Sequence, residues 1–154
     1  MLSGKRFDSA FSNACSYFSR VDFEIEHVGL PARDPARLKD WYVHVFDAEL
    51  VYGDDANPPS ILVKMPGGVL IEIYPALCSV PDITNNKLSG WRHVALRVAS
   101  LGVSKAHLES RGVRFEAQVG PAVGGGEVLY FADAEGNLLH LVQRPATATM
   151  NACA

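Results

Sequence analysis

His27-Val28-Gly29-Leu30 returns later in the chain as His93-Val94-Ala95-Leu96, and this internal repeat decides the fold. At the same distance after each histidine stands a helix-starting residue, Asp34 followed by Pro35 in the first copy and Ser100 in the second. Leu38, Trp41, Tyr42, Val45 and Phe46 then form one apolar helical face, and Leu101, Val103, Ala106 and Leu108 form its counterpart until Gly112 ends it. Three strand-like runs follow each helix, at 49–52, 60–65 and 69–74 and again at 113–119, 127–132 and 138–143, separated by glycine, proline and asparagine turns. The chain therefore divides into an N-terminal arm (1–22), a first βαβββ module (23–76), a linker (77–90), a second βαβββ module (91–145) and a small, polar, disordered tail (146–154).

Bulk properties narrow the function. A chain of 154 residues, 48% hydrophobic and 20% charged, has the balance of a globular domain that can bury a sizeable core. Its net charge of -3 and the lack of a basic stripe argue against a nucleic-acid partner. No apolar run is long enough for a membrane span. Cys15, Cys78 and Cys153 are an odd set with no CxxC spacing, so neither a disulfide framework nor a cysteine zinc site is suggested, and a reducing, cytoplasmic setting fits. Lys5, Arg6 and Arg20 among serines faintly resemble a transit peptide, but Asp8 and the lack of an amphipathic pattern favour an arm that is mobile or docks a partner.

Strand alternation gives each titratable residue a side. Val28 and Leu30 face the helix, leaving His27 and Gly29 opposite; Val94 and Leu96 face the helix, leaving His93, Ala95 and Arg97 opposite. In the last strand of each module, Glu72 and Tyr74 lie opposite Ile71 and Ile73, and His140 lies opposite Leu139 and Leu141. A lone His or Glu in an apolar strand is ordinarily a hydrogen-bonded interior residue. Recurrence at equivalent positions of a repeat singles out His27, Glu72, His93 and His140 as a ligand set for one divalent metal ion, Zn, Ni, Co, Mn or Fe. Arg97 and Tyr74, on the same faces, are the candidate substrate-binding residues, and a small anionic substrate would suit Arg97. His44 and His107 fall on helices and are set aside, and Gly124 to Gly126 read as a flexible turn.

These residues resemble the vicinal oxygen chelate superfamily, which includes glyoxalase I, methylmalonyl-CoA epimerase, extradiol dioxygenases and bleomycin resistance proteins. The resemblance covers about 23–145 and rests on His27-Val-Gly-Leu, Trp91-Arg-His93-Val-Ala-Leu, Val69-Leu-Ile-Glu72-Ile-Tyr and Phe131-Ala-Asp-Ala-Glu-Gly-Asn-Leu-Leu-His140-Leu-Val. It implies an α+β fold in which the two modules form a curved, eight-stranded mixed sheet around a metal-binding cavity, and a homodimer. His140 departs from the pattern, because relatives carry a glutamate there. Pro31 stands where glyoxalase I relatives carry an arginine for glutathione, which argues against that substrate.

The function this implies is a metal-dependent lyase or isomerase of glyoxalase type, acting on a small substrate held through vicinal oxygens, with Glu72 as the catalytic base. An extradiol-type Fe(II) dioxygenase and a non-enzymatic drug- or metabolite-binding resistance protein are the alternatives. Whether the modules pair within one chain or across a dimer is open at this stage.

Overall fold

The computed structural model describes residues 24–79 and 83–146, so the expected arm and nearly all of the expected tail lie outside the described residues. Its elements run β1 (His27–Ala32), α1 (Pro35–Phe46), β2 (Glu49–Gly53), β3 (Ile61–Lys64), β4 (Leu70–Pro75), β5 (His93–Arg97), α2 (Leu101–Ser110), β6 (Gly120–Pro121), β7 (Glu127–Ala132) and β8 (Leu138–Gln143). Both modules are strand, helix, three strands. Each is a four-stranded mixed sheet, ordered β1-β4-β3-β2 and β5-β8-β7-β6, with the first strand parallel to the last. The fold is thus α+β with two βαβββ modules. Among the described residues the sheets stay separate, since β1 pairs only with β4 and β5 only with β8.

Helix α1 starts where Asp34 accepts the backbone N–H of Arg37 at 3.0 Å, with Pro35 in its first turn, and ends where Asp47 adopts a left-handed conformation. Helix α2 is capped by Ser100, which accepts from the Val103 N–H at 3.3 Å. One strand differs from expectation. Residues 113–119 carry the alternation of a strand, with Val113 buried and Phe115 packed on the core, but only Gly120–Pro121 pairs with β7. Alternation reports which side chains are buried, not whether a neighbouring backbone is in reach.

The two cores meet on α1. Leu38 and Tyr42 are sealed against β3 and β4 of the first module, whereas Val45 belongs to the cluster of Leu101, Leu108, Leu129, Phe131, Leu139 and Leu141 in the second. Polar contacts fix the junction. Arg111 donates from Nη1 to the His44 carbonyl at 2.8 Å and to Asp47 Oδ1 at 2.7 Å. The Tyr42 hydroxyl donates to buried Asp133 at 3.3 Å. Glu135 accepts the backbone N–H groups of Arg33 and Asp34, both at 2.8 Å, so a carboxylate of the second module closes the β1–α1 turn of the first.

Burial opposes ionisation of Glu135, but the Arg33 and Asp34 N–H donors and the Arg33 guanidinium outweigh it and leave its pKa below the usual carboxylate value. A lowered folded-state pKa contributes stability that is present above the ordinary carboxylate range and lost as pH falls through the folded value. Glu135→Ala should therefore destabilise the neutral-pH protein by about 1–3 kcal/mol, a fall of several degrees in Tm. The deficit should shrink in acid. An unchanged denaturant midpoint in this variant at pH 7 would show that Asp34 alone secures the turn.

Candidate metal centre

Sheet register places the four expected ligands. In the first module Gly29 is the cross-strand partner of Glu72, and His27 lies two residues before Gly29 on the same face. In the second, Ala95 partners His140, and His93 lies two residues before Ala95. Each histidine is thus the diagonal neighbour of the last-strand residue, a spacing that long side chains can bridge. His27 Nε2 lies 3.4 Å from Glu72 Oε2, and the His93 and His140 rings are 4.6 Å apart and tilted by 37°.

The two pairs do not meet. Among the described residues no three His, Cys, Asp or Glu side chains form a group that could hold a metal ion. The packing of α1 explains this, because it joins the modules through their helix-side faces and leaves β1 and β5 as separate edges.

The half-sites differ in environment. His27 is part exposed and contacts Glu26 through Nδ1. Its pKa is raised, first by the hydrogen bond to Glu26, against the next-largest effect, burial, with the charges of Glu26 and then Glu72 adding to the rise. His140 is only 8% exposed, and its Nδ1 is buried with no hydrogen-bond partner. Burial first, then the positive character of His93 and Arg144, lowers its pKa and keeps the imidazole neutral. A neutral imidazole is the state a metal ligand needs.

Tyr74 lies across Gly29, where an added Cβ would sit 3.3 Å from its Cε1, so the ring rests on the sheet beside the His27–Glu72 pair. Arg97 is exposed on β5, and among the described residues it makes no ion pair. Two residues at the site escaped the sequence reading. Tyr130 is the cross-strand partner of His140, with rings 4.8 Å apart, and it meets the His93 ring edge-on at 5.9 Å. Alternation along 127–132 would have found it, since Leu129 and Phe131 face the core. Asn86, whose Oδ1 lies 2.7 Å from His93 Nδ1, comes from the linker and carried no sequence signal. The glycine turn is pinned rather than free: Arg144 donates to the carbonyls of Val123 and Gly125 at 2.5 and 2.6 Å. At Gly126 a side chain is impossible, as a Cβ would lie 2.1 Å from the Gln143 carbonyl oxygen.

Residues 24–141 match the family model of the glyoxalase/bleomycin resistance protein/dioxygenase superfamily. The chain belongs to this superfamily. Solved structures with the same fold include a glyoxalase/bleomycin resistance protein/dioxygenase domain from Frankia sp. EAN1pec, with 21% identity, TM-score 0.65, and coverage of 82% of this chain and 96% of that one. A glyoxalase family protein from Enterococcus faecalis is 22% identical with TM-score 0.64, covering 77% and 96%. A variant of the fosfomycin resistance protein FosX from Listeria monocytogenes, in complex with Mn(II) and 1S,2S-dihydroxypropylphosphonic acid, is 19% identical with TM-score 0.60, covering 82% and 94%. No curated protein matches the sequence. No helix among the described residues is long and apolar enough to cross a membrane.

The superfamily implies a metal, and the donors present suit one: three imidazoles and a carboxylate are ligands for borderline divalent ions, and the orphaned His140 nitrogen is a donor awaiting a partner. Because Glu26 is the main cause of the raised His27 pKa, Glu26→Gln should bring the His27 titration in metal-free protein down toward 6.5. The imidazole Cε1–H signal in an NMR pH titration reads this directly. No movement of that midpoint would remove Glu26 as the controlling neighbour.

Proposed function

We propose that this protein is a divalent-metal-dependent enzyme of lyase or isomerase type, acting on a small anionic substrate through two vicinal oxygens, with its site completed by a second copy of the chain. The observation that carries the reading is the pair of matched donor pairs, His27 with Glu72 and His93 with His140, displayed by equivalent strands that both border a free sheet edge. Placing β1 of one copy beside β5 of another would bring His27 and Glu72 to His93 and His140 of the partner subunit, forming two equivalent sites about a twofold axis.

Two further features support a second copy. Edge strands with unpaired backbone groups favour pairing. Beside them, an apolar cleft of about 670 Å³ opens between the modules, lined by residues including Val28, Leu30, Leu96 and Val103, and Val94 and Val103 are 42% and 72% exposed. Continuous apolar surface of this kind marks an association site. The cytoplasmic setting read from the cysteines belongs to the same proposal, and Cys78 is a free, exposed thiol.

A bound divalent ion would supply Lewis acidity, holding two neighbouring substrate oxygens and acidifying the adjacent C–H. The chain's own residues do the rest. Glu72, the one carboxylate of the set, is part exposed and able to swing, so it accepts the substrate proton and returns it to the neighbouring carbon. Arg97, which makes no ion pair among the described residues, orients an acidic group of the substrate, and the Tyr74 hydroxyl donates to a substrate oxygen. The phosphonate held by FosX is the kind of anion such a site would take.

Incubation with small 2-hydroxy- and 2-oxo-acids and phosphonates in deuterated water tests proton abstraction without requiring the net product to be known. Wild-type protein loaded with Mn, Co, Ni or Zn should wash deuterium into the carbon next to the chelated oxygens. Glu72→Gln should keep its metal and lose exchange by about 10²- to 10⁴-fold. Oxygen consumption with catechols in the iron form would favour the dioxygenase reading, and ligand binding without exchange or turnover would favour a resistance protein.

A further inference from the structure

We infer that Asn86, a linker residue, is a positioning residue that fixes the tautomer of His93, and this rests on the metal-ligand reading of that histidine. The contact engages Nδ1, so Nε2 is the ring nitrogen that would hold a metal. Asn86 Oδ1 lies 2.7 Å from His93 Nδ1, while Asn86 Nδ2 donates to the Tyr130 hydroxyl at 3.3 Å. With the carbonyl end of the amide on Nδ1, that nitrogen must carry the proton, and the lone pair is placed on Nε2. The ring is also held from a second side, since it lies beside His140 and edge-on to Tyr130. A ligand histidine whose other nitrogen donates to a fixed oxygen is both oriented and made more basic toward its metal.

The linker is built to present this residue. Asn85 accepts the Lys87 N–H through its side chain at 3.1 Å, making a local turn that carries Asn86. Upstream, Ile83 packs against Gly136, where an added Cβ would lie 3.3 Å from Ile83 Cδ1; the φ of +91° there also favours glycine. The segment joining the modules is thereby anchored on the second module at two points, and the amide of Asn86 reaches over the His93–Tyr130 pair. Among the described residues the first module has no equivalent. There His27 Nδ1 meets the neighbouring carboxylate of Glu26, so the two halves orient their first-strand histidines by different means.

The test uses the full chain and two readouts. In metal-free protein above the histidine titration range, ¹⁵N chemical shifts of His93 should report the Nδ1–H tautomer in the wild type and in Asn86→Asp, which keeps the acceptor. Asn86→Ala should shift the ring toward the Nε2–H form. Competition with a chromogenic chelator should then show Zn(II) affinity weakened about 10- to 100-fold in Asn86→Ala and kept within a few-fold in Asn86→Asp. An unchanged tautomer in Asn86→Ala, or unchanged Zn(II) affinity alongside a large loss in His93→Ala, overturns the inference. If His93→Ala itself leaves Zn(II) binding intact, the metal reading of His93 falls, and with it this role for Asn86.

Discussion

Helix α1 belongs to two hydrophobic cores at once, and that shared burial sets the rest of the molecule. Leu38 and Tyr42 are enclosed by the first sheet, while Val45, one turn on, is enclosed by the second. Full burial of a side chain such as Val45 contributes about 1.5–3 kcal/mol, so separating the modules would expose the helix on one side or the other. The Glu135 contact to the β1–α1 turn and the Arg111 contact to the end of the helix hold the same arrangement from both ends. A helix held between the modules keeps their sheets from joining edge to edge, and among the described residues β1 and β5 are unpaired on one side.

From that constraint follows the form of the candidate site. Parallel pairing of first and last strands puts His27 beside Glu72 and His93 beside His140, while the helix-side junction keeps the two pairs apart. The pairs are also chemically unlike. One is partly exposed and carries carboxylates that favour a protonated imidazole; the other is more enclosed, lacks a carboxylate and keeps His140 neutral. A joint site would combine a partly exposed imidazole and carboxylate from one half with the His93 and His140 imidazoles from the other.

Much of this was legible in the sequence because it rests on short-range periodicity. The His-Val repeat, the caps at Asp34 and Ser100, and the strands at 127–132 and 138–143 all appear where alternation and capping chemistry place them. The failed strand at 113–119 shows the limit, since its buried Val113 and Phe115 give the pattern without the hydrogen-bonded neighbour. Tyr130 follows from the same alternation that places His140, being the residue between core-facing Leu129 and Phe131. Asn86 and the separation of the half-sites were not legible. Both depend on how distant segments pack, and nothing in the local pattern of residues 83–90 or of α1 specifies a contact in the other module.

The central claim, that one site draws His27 and Glu72 from one chain and His93 and His140 from another, is tested most directly by subunit complementation. His27→Ala and His93→Ala variants, each lacking a ligand in every site, are mixed, co-refolded and assayed for tightly bound metal. Random twofold assembly across chains should rebuild one intact site in each mixed dimer, restoring about a quarter of the wild-type capacity. If both variants are separately deficient, form mixed dimers and still recover no binding, the site does not form between chains and the account is contradicted.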